Sequence, residues 1–273
     1  YRAEVKTIEK PWGEWFSLDE LEAALIEHKP AILAMVHAET STGVCQPMDG
    51  IGDLCRKHDC LLLLDTVTSL GGVPLYIDEW KVDLAYSCSQ KGLSCPPGLG
   101  PFTMGPRAEA KMSARQGKVP NWYLDVSLLN QYWGSDRVYH HTAPVNMNFG
   151  MREALRLLAE EGLDQAWDRH RSNAELLWSG LESLGLSMHV PADRRLPTLT
   201  TVRIPEGVDG KAFSQHLLNN HGIEVGGGLG TLAGKIWRIG LMGYNSNPEN
   251  VNRLLNLFET ELPRFSGSVA AAA

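Results

Sequence analysis

The stretch "VDLAYSCSQKGLSCPPGLG", residues 82–100, decides how the chain reads. A short apolar run, Val82 to Tyr86, has the length of a buried strand. It gives way to small polar residues, a single lysine, Lys91, and a Pro96-Pro97-Gly98 stop. Ser87, Cys88, Ser89 and Gly92 are small enough for the backbone to come close to a ligand. A lysine on such a strand end, partly desolvated, offers an amine that can form a Schiff base with a carbonyl. Without that setting it would be one more solvated surface lysine.

The neighbouring segments repeat the pattern. "PAILAMVH" (30–37) and "CLLLLDTVTSLGG" (60–72) open as continuous apolar runs of strand length, and "PMDGIGDLCRKH" (47–58) between them has helical character. Upstream, "SLDELEAALIEH" (17–28) carries a capping box, Ser17 with Glu20, followed by Leu18, Leu21 and Leu25 at helical spacing. The opening "YRAEVKTIEKPWGEW" reads as a strand and loop. Strands apolar on both faces, alternating with helices, predict a mostly parallel sheet covered on both sides, an α/β architecture. Ligands in such sheets sit beyond the carboxyl ends of the strands. His37, Asp65 and the run Ser87 to Lys91 all fall at those ends.

Near residue 149 the pattern changes. Residues 149–185 are helical with a break at Gly162, and Ala174, Leu177, Trp178 and Leu181 keep an apolar stripe that Gly185 ends. Strand-like "LSMHV" (186–190), "LTTVRI" (199–204), "IEV" (223–225) and "KIWRIGLM" (235–242) follow, with a helix over 210–220. A last helix opens on Asn247 and Pro248 and runs to about Leu262. The division expected is 1–148 for a large cofactor domain, 149–265 for a connecting helix and a smaller α+β domain, and 266–273 for a disordered tail.

The totals bound the function. The 273 residues are 43% hydrophobic and 21% charged, the balance of an ordinary globular protein. Twenty-five Lys and Arg against 32 Asp and Glu give a net charge of −7, which argues against nucleic acid or an anionic membrane as the main partner. No run is long and apolar enough for a membrane span. The five cysteines contain no C-x-x-C pair, and the nine histidines no H-x-x-x-H. Free thiols in a reducing compartment and no metal site are the expectation. The ending "VAAAA" is no peroxisomal tripeptide, so the cytosol is the default.

Asp65 stands directly after four leucines. It is either a cap at a strand-to-helix turn or a carboxylate that needs a cationic partner. In an extended segment, "DTV" would put Asp65 and Val67 on one side. A planar cationic ring could then rest its nitrogen on the carboxylate and its face on the valine. Pyridoxal 5′-phosphate (PLP) is such a ring, and it also needs a lysine and donors for its phosphate.

With these residues in place, the chain resembles the alanine–glyoxylate / serine–pyruvate aminotransferase family, PLP enzymes of the aspartate-aminotransferase fold. The motifs that carry the resemblance are "HAETSTGV" (37–44), "LLLLDTVTSLGG" (61–72), "AYSCSQKGLSCPPGLG" (85–100), "YWGSDRVYHHTAP" (132–144), "RLPTLTTV" (195–202) and "GKIWRIGLMG" (234–243). The resemblance implies that Lys91 is the Schiff-base lysine, that Asp65 keeps the pyridine nitrogen protonated, and that Val67 lies beneath the ring. It implies Thr40 near the cofactor, Gln90 on the phosphate, and Tyr139 and Thr142 reaching the cofactor of the neighbouring subunit in a homodimer. Arg238 matches the arginine that holds the substrate carboxylate; a guanidinium fork suits that task, though such an arginine could equally serve a surface ion pair. The reaction implied moves the amino group of alanine or serine to glyoxylate or pyruvate by ping-pong kinetics. The resemblance also implies an N-terminal third preceding Tyr1, and it departs at Cys88, where relatives carry glycine or another small residue. Two other readings stay open: another PLP enzyme of the same fold, and an inactive dimerising fragment.

Overall fold

The capping box at Ser17 forms in full. The Ser17 hydroxyl accepts the Glu20 N–H and the Glu20 carboxylate accepts the Ser17 N–H at 2.9 Å, opening helix α1 (Leu18–His28). Leu21 and Leu25 are buried, whereas Leu18 stays exposed, so the apolar stripe is narrower than its spacing suggested. The computed structural model describes residues 3–266; most of the tail expected at 266–273 lies outside the described residues. No strand forms between residues 3 and 16, contrary to the sequence reading, and Val5 is exposed.

Strand β1 (Ile32–Val36) leads into a short hairpin, β2 (Ala38–Glu39) and β3 (Val44–Cys45), then helix α2 (Ile51–Lys57) and strand β4 (Leu61–Asp65). Strands β5 (Leu84–Tyr86) and β6 (Phe102–Met104) complete a sheet in the order β1-β4-β5-β6. The first three are parallel and β6 is antiparallel. Leu21, Leu25, Ile51, Cys55, Leu62 and Leu64 form the core on one side. The expected cover on both faces is incomplete: along β1, Ile32, Ala34 and Val36 are exposed while the alternate residues are half-buried. At the end of the sheet opposite Asp65, buried Asp83 accepts the Leu62 N–H at 2.9 Å and pairs with Arg107 at 2.9 Å. A buried carboxylate satisfied on both sides fixes β5 against β4.

Helices α3 (Pro106–Ser113) and α4 (Val126–Trp133) precede α5 (Val145–Glu161) and α6 (Leu163–Ser183). The long helical region begins at Val145 rather than 149 and breaks at Gly162, which adopts φ 90°. Strand β7 (Leu199–Arg203), helix α7 (Gly210–His221), strands β8 (Gly226–Gly227) and β9 (Ile236–Gly240), and helix α8 (Pro248–Glu261) follow. Asn247 caps α8 by accepting the Asn250 N–H. The second sheet is antiparallel, ordered β7-β9-β8. "LSMHV" pairs with it through the isolated bridge Met188–Val202, and the strand expected at 223–225 lies instead at Gly226–Gly227. Phe213, Trp237 and Phe258 pack edge to face at 5.0–5.5 Å in a core closed by Leu177, Leu181, Val202 and Leu217.

Among the described residues no helix is long and apolar enough to cross a membrane. Outside the sheets, His216, His221 and Glu261 bring their donor atoms within 4.8 Å of one another. The cluster is internally paired: His216 meets Glu261 at 2.9 Å, Arg264 neutralises the same carboxylate at 2.6 Å, and Asn220 meets the other nitrogen of His216.

Candidate active site

Parallel register brings the rim together. Asp65 ends β4 directly opposite Tyr86, the last residue of β5, so the segments holding Asp65 and Lys91 leave adjacent strands at the same edge. Beyond Asp65 the chain turns at once instead of staying extended. Leu70 N–H bonds back to the Thr66 carbonyl, and Asp65 Oδ1 accepts the Val67 N–H at 2.8 Å. Asp65 is thus a cap: Oδ1 holds the turn, and Oδ2 faces Tyr86, whose hydroxyl donates to it at 2.6 Å. That bond, with partial burial, pushes the Tyr86 phenol up to about 12. Tyr86 was invisible in the sequence, where it read as the end of an apolar run. Its signal was the register that pairs it with Asp65.

The Lys91 turn is braced from both sides. The Ser87 hydroxyl donates to the Thr66 carbonyl, and that of Ser89 to the Pro96 carbonyl. A Cβ on Gly92 would lie 2.3 Å from the Leu70 carbonyl oxygen, so only glycine lets the two turns meet this closely. Ser94, at φ 55°, accepts the Tyr244 N–H on its hydroxyl at 2.8 Å. The next loop is fixed in turn by buried His170, whose Nδ1 donates to the Ala166 carbonyl and whose Nε2 accepts the Gly243 N–H at 2.9 Å. Burial lowers the pKa of His170, which keeps the neutral form this pairing requires. Lys91 itself is half-buried, and its ammonium makes no hydrogen bond or ion pair among the described residues.

Arg238 reaches the same rim from the second sheet. Thr198 donates to the Thr68 carbonyl at 2.9 Å, Thr201 to the Thr42 carbonyl at 2.7 Å, and Arg238 Nη1 to the Thr40 carbonyl at 3.2 Å. Arg238 Nε is held by the Gly227 carbonyl at 2.7 Å. Two donations to backbone leave the remaining N–H groups of the fork for a carboxylate. Beneath the β2–β3 hairpin, His37 is buried, with Nε2 3.7 Å from Cys45 Sγ and Nδ1 without a partner. Burial pushes His37 down to about 4, so it is neutral. Gln90 is exposed on the Lys91 turn. Tyr139 and Thr142 bond to each other at 2.8 Å on an exposed loop and form no hydrogen bond with Asp65 or Lys91 among the described residues. All five cysteines are free. A groove of about 420 Å³ lined by His189, Arg203, Lys235 and Ile236 contains none of these site residues.

The donor set suits PLP: an amine with no hydrogen bond or ion pair among the described residues, a carboxylate with lone pairs to spare on both oxygens, a half-buried valine and a guanidinium with N–H groups to spare. Comparison with known proteins shows the family. The aminotransferase class-V family profile matches residues 1–254, and the chain belongs to that family. It is 46% identical to an alanine–glyoxylate aminotransferase of Oryctolagus cuniculus, over 97% of this chain and 69% of that protein. The crystal structure of an alanine–glyoxylate aminotransferase from Nostoc sp. superposes with a TM-score of 0.93 at 64% identity, covering 94% of this chain and 68% of that one. That of the ureidoglycine–glyoxylate aminotransferase from Bacillus subtilis gives 0.92 at 40% identity, covering 94% and 67%. The chain spans 60–69% of the length of the first curated relatives it matches.

Proposed function

We propose that the chain works as a PLP-dependent aminotransferase that moves the amino group of a small amino acid, alanine or serine, to glyoxylate or pyruvate. The observation that carries this reading is the convergence of Asp65 and the Lys91 turn on one rim, with Arg238 brought to it across the Thr40 hairpin. Glyoxylate is favoured as acceptor because it stands in the names of relatives whose donors differ, alanine in one and ureidoglycine in the other. When bound, PLP supplies a covalent anchor for the amino group and a sink for the electrons released at the α-carbon.

The protein's own groups do the rest. Lys91, free of ion pairs among the described residues, can hold the cofactor covalently and, once released as a neutral amine, carry the α-proton as base and then as acid. Asp65 would keep a negative charge for the ring nitrogen, Val67 would offer an apolar floor, and Thr40 and Gln90 would supply donors to cofactor oxygens. The free N–H groups of Arg238 orient the substrate carboxylate, which sets the α-carbon against Lys91. Both half-reactions use the same groups, so ping-pong kinetics follow.

The assembly proposed is a homodimer in which Tyr139 and Thr142 reach the partner's cofactor. The exposed run Trp122, Tyr123, Leu124, Trp133, Val138 and Tyr139 supports it. The division into a cofactor domain (1–148) and a C-terminal unit (149–265) goes with this reading, and the free thiols support a reducing, cytosolic setting. In the test, the chain is given PLP, L-alanine and glyoxylate, and glycine and pyruvate are followed. Equimolar formation of both is expected. An assembled dimer that forms neither with any donor would favour the inactive scaffold.

A further inference from the structure

We propose that Tyr86 is a positioning residue for Asp65, holding its carboxylate at the angle at which it meets the ring nitrogen of the cofactor. The inference rests on the reading of Asp65 given above and deepens it. A carboxylate on a strand end is free to rotate about its last bond unless both oxygens are held. Here Oδ1 is held from its own chain by the Val67 N–H, and Oδ2 from the neighbouring strand by the Tyr86 hydroxyl. Two donors from independent elements lock the plane, and each oxygen keeps a further lone pair for the ligand.

Tyr86 is itself anchored for this task. Its carbonyl accepts both the Thr66 N–H at 2.9 Å and the Thr66 hydroxyl at 2.8 Å, so the phenol is presented from a backbone tied to the Asp65 turn. Paired residues of parallel strands project to the same face, which is why the ring can reach the carboxylate. The contact is short and charge-assisted, the kind that fixes direction as well as energy. Packing alone does not account for it, because Tyr86 is 40% exposed and could turn its hydroxyl to water.

The test is a double-mutant cycle on PLP affinity in the full chain, with Tyr86→Phe, Asp65→Asn and the pair, alongside ¹³Cζ-tyrosine NMR of the cofactor-free protein. Tyr86→Phe is expected to weaken PLP about tenfold, Asp65→Asn more, and the tyrosine change to add nothing on the Asp65→Asn background. Without cofactor, the Tyr86 signal should titrate near 12 and fall toward about 10 in Asp65→Asn. Wild-type chain that binds no PLP, or Asp65→Asn that binds it normally, overturns the functional reading and this inference with it. If Asp65→Asn weakens binding but Tyr86→Phe does not, or the two effects add in full, only the positioning role fails. A Tyr86 signal titrating near 10 in the wild type would remove the bond and the inference too.

Discussion

Strands β7 and β1 show how differently the two sheets are finished. In β7, Leu199, Thr200, Thr201 and Val202 are all buried: Val202 enters the aromatic core and Thr200 meets Trp178 of α6, while Leu199 packs on Ala38 and Val73 and Thr201 bonds to the Thr42 carbonyl. In β1 every second residue is exposed, Ile32 at 47% and Val36 at 37%. The sheet of β7 is closed along this strand, whereas the sheet that leads to Asp65 and the Lys91 turn leaves one face of its edge strand β1 open. From the closed side Arg238, Thr198 and Thr201 reach a rim otherwise built by the open one.

The largest effect expected separates chemistry from that packing. Lys91→Ala should lower turnover by at least about a thousandfold and leave the melting temperature within a few degrees, since the ammonium has no partner to lose. Kinetics and calorimetry on one preparation check both halves. Next, Phe213→Ala in the closed core should cost about 3–5 kcal/mol, while Ile32→Ala on the open face should cost less than about 1 kcal/mol. Equal losses in urea titrations would erase the contrast drawn here.

A pH effect comes third. The native state holds His37 at about 4, while an unfolded chain titrates it near 6.5. Below that unfolded value the unfolded state binds more protons, so stability is full above pH 6.5 and falls as pH drops toward 4. The loss is of order 3 kcal/mol at most. His37→Asn should flatten the melting-temperature profile over that window, and an unchanged slope would show that His37 is not held neutral. Smaller still, Gly92→Ala should destabilise by about 1–3 kcal/mol, because its Cβ meets the Leu70 carbonyl. It should also weaken PLP binding more than Ile32→Ala does.

Much of this was legible beforehand, for physical reasons. The Ser17 box, the Asn247 cap and the apolar runs of β4 and β5 are local signals, and they formed where the residues put them. Asp65 and Lys91 stood out because polar groups directly after apolar strands must face a rim. Tyr86, His170 and Ser94 did not stand out, since their roles depend on register and on contacts more than 70 residues apart in the chain, such as Gly243 with His170 and Tyr244 with Ser94. The N-terminal strand and "LSMHV" failed in the opposite way. Their pattern suits a strand, but residues 3–16 find no partner strand and "LSMHV" finds only one bridge.

The measurement that bears most directly on the whole account is covalent trapping. The chain is mixed with PLP, reduced with borohydride, digested and mapped by mass spectrometry. The account predicts a single pyridoxyl-modified peptide, with the label on Lys91. Label on another lysine, or spread evenly over surface lysines, would contradict it.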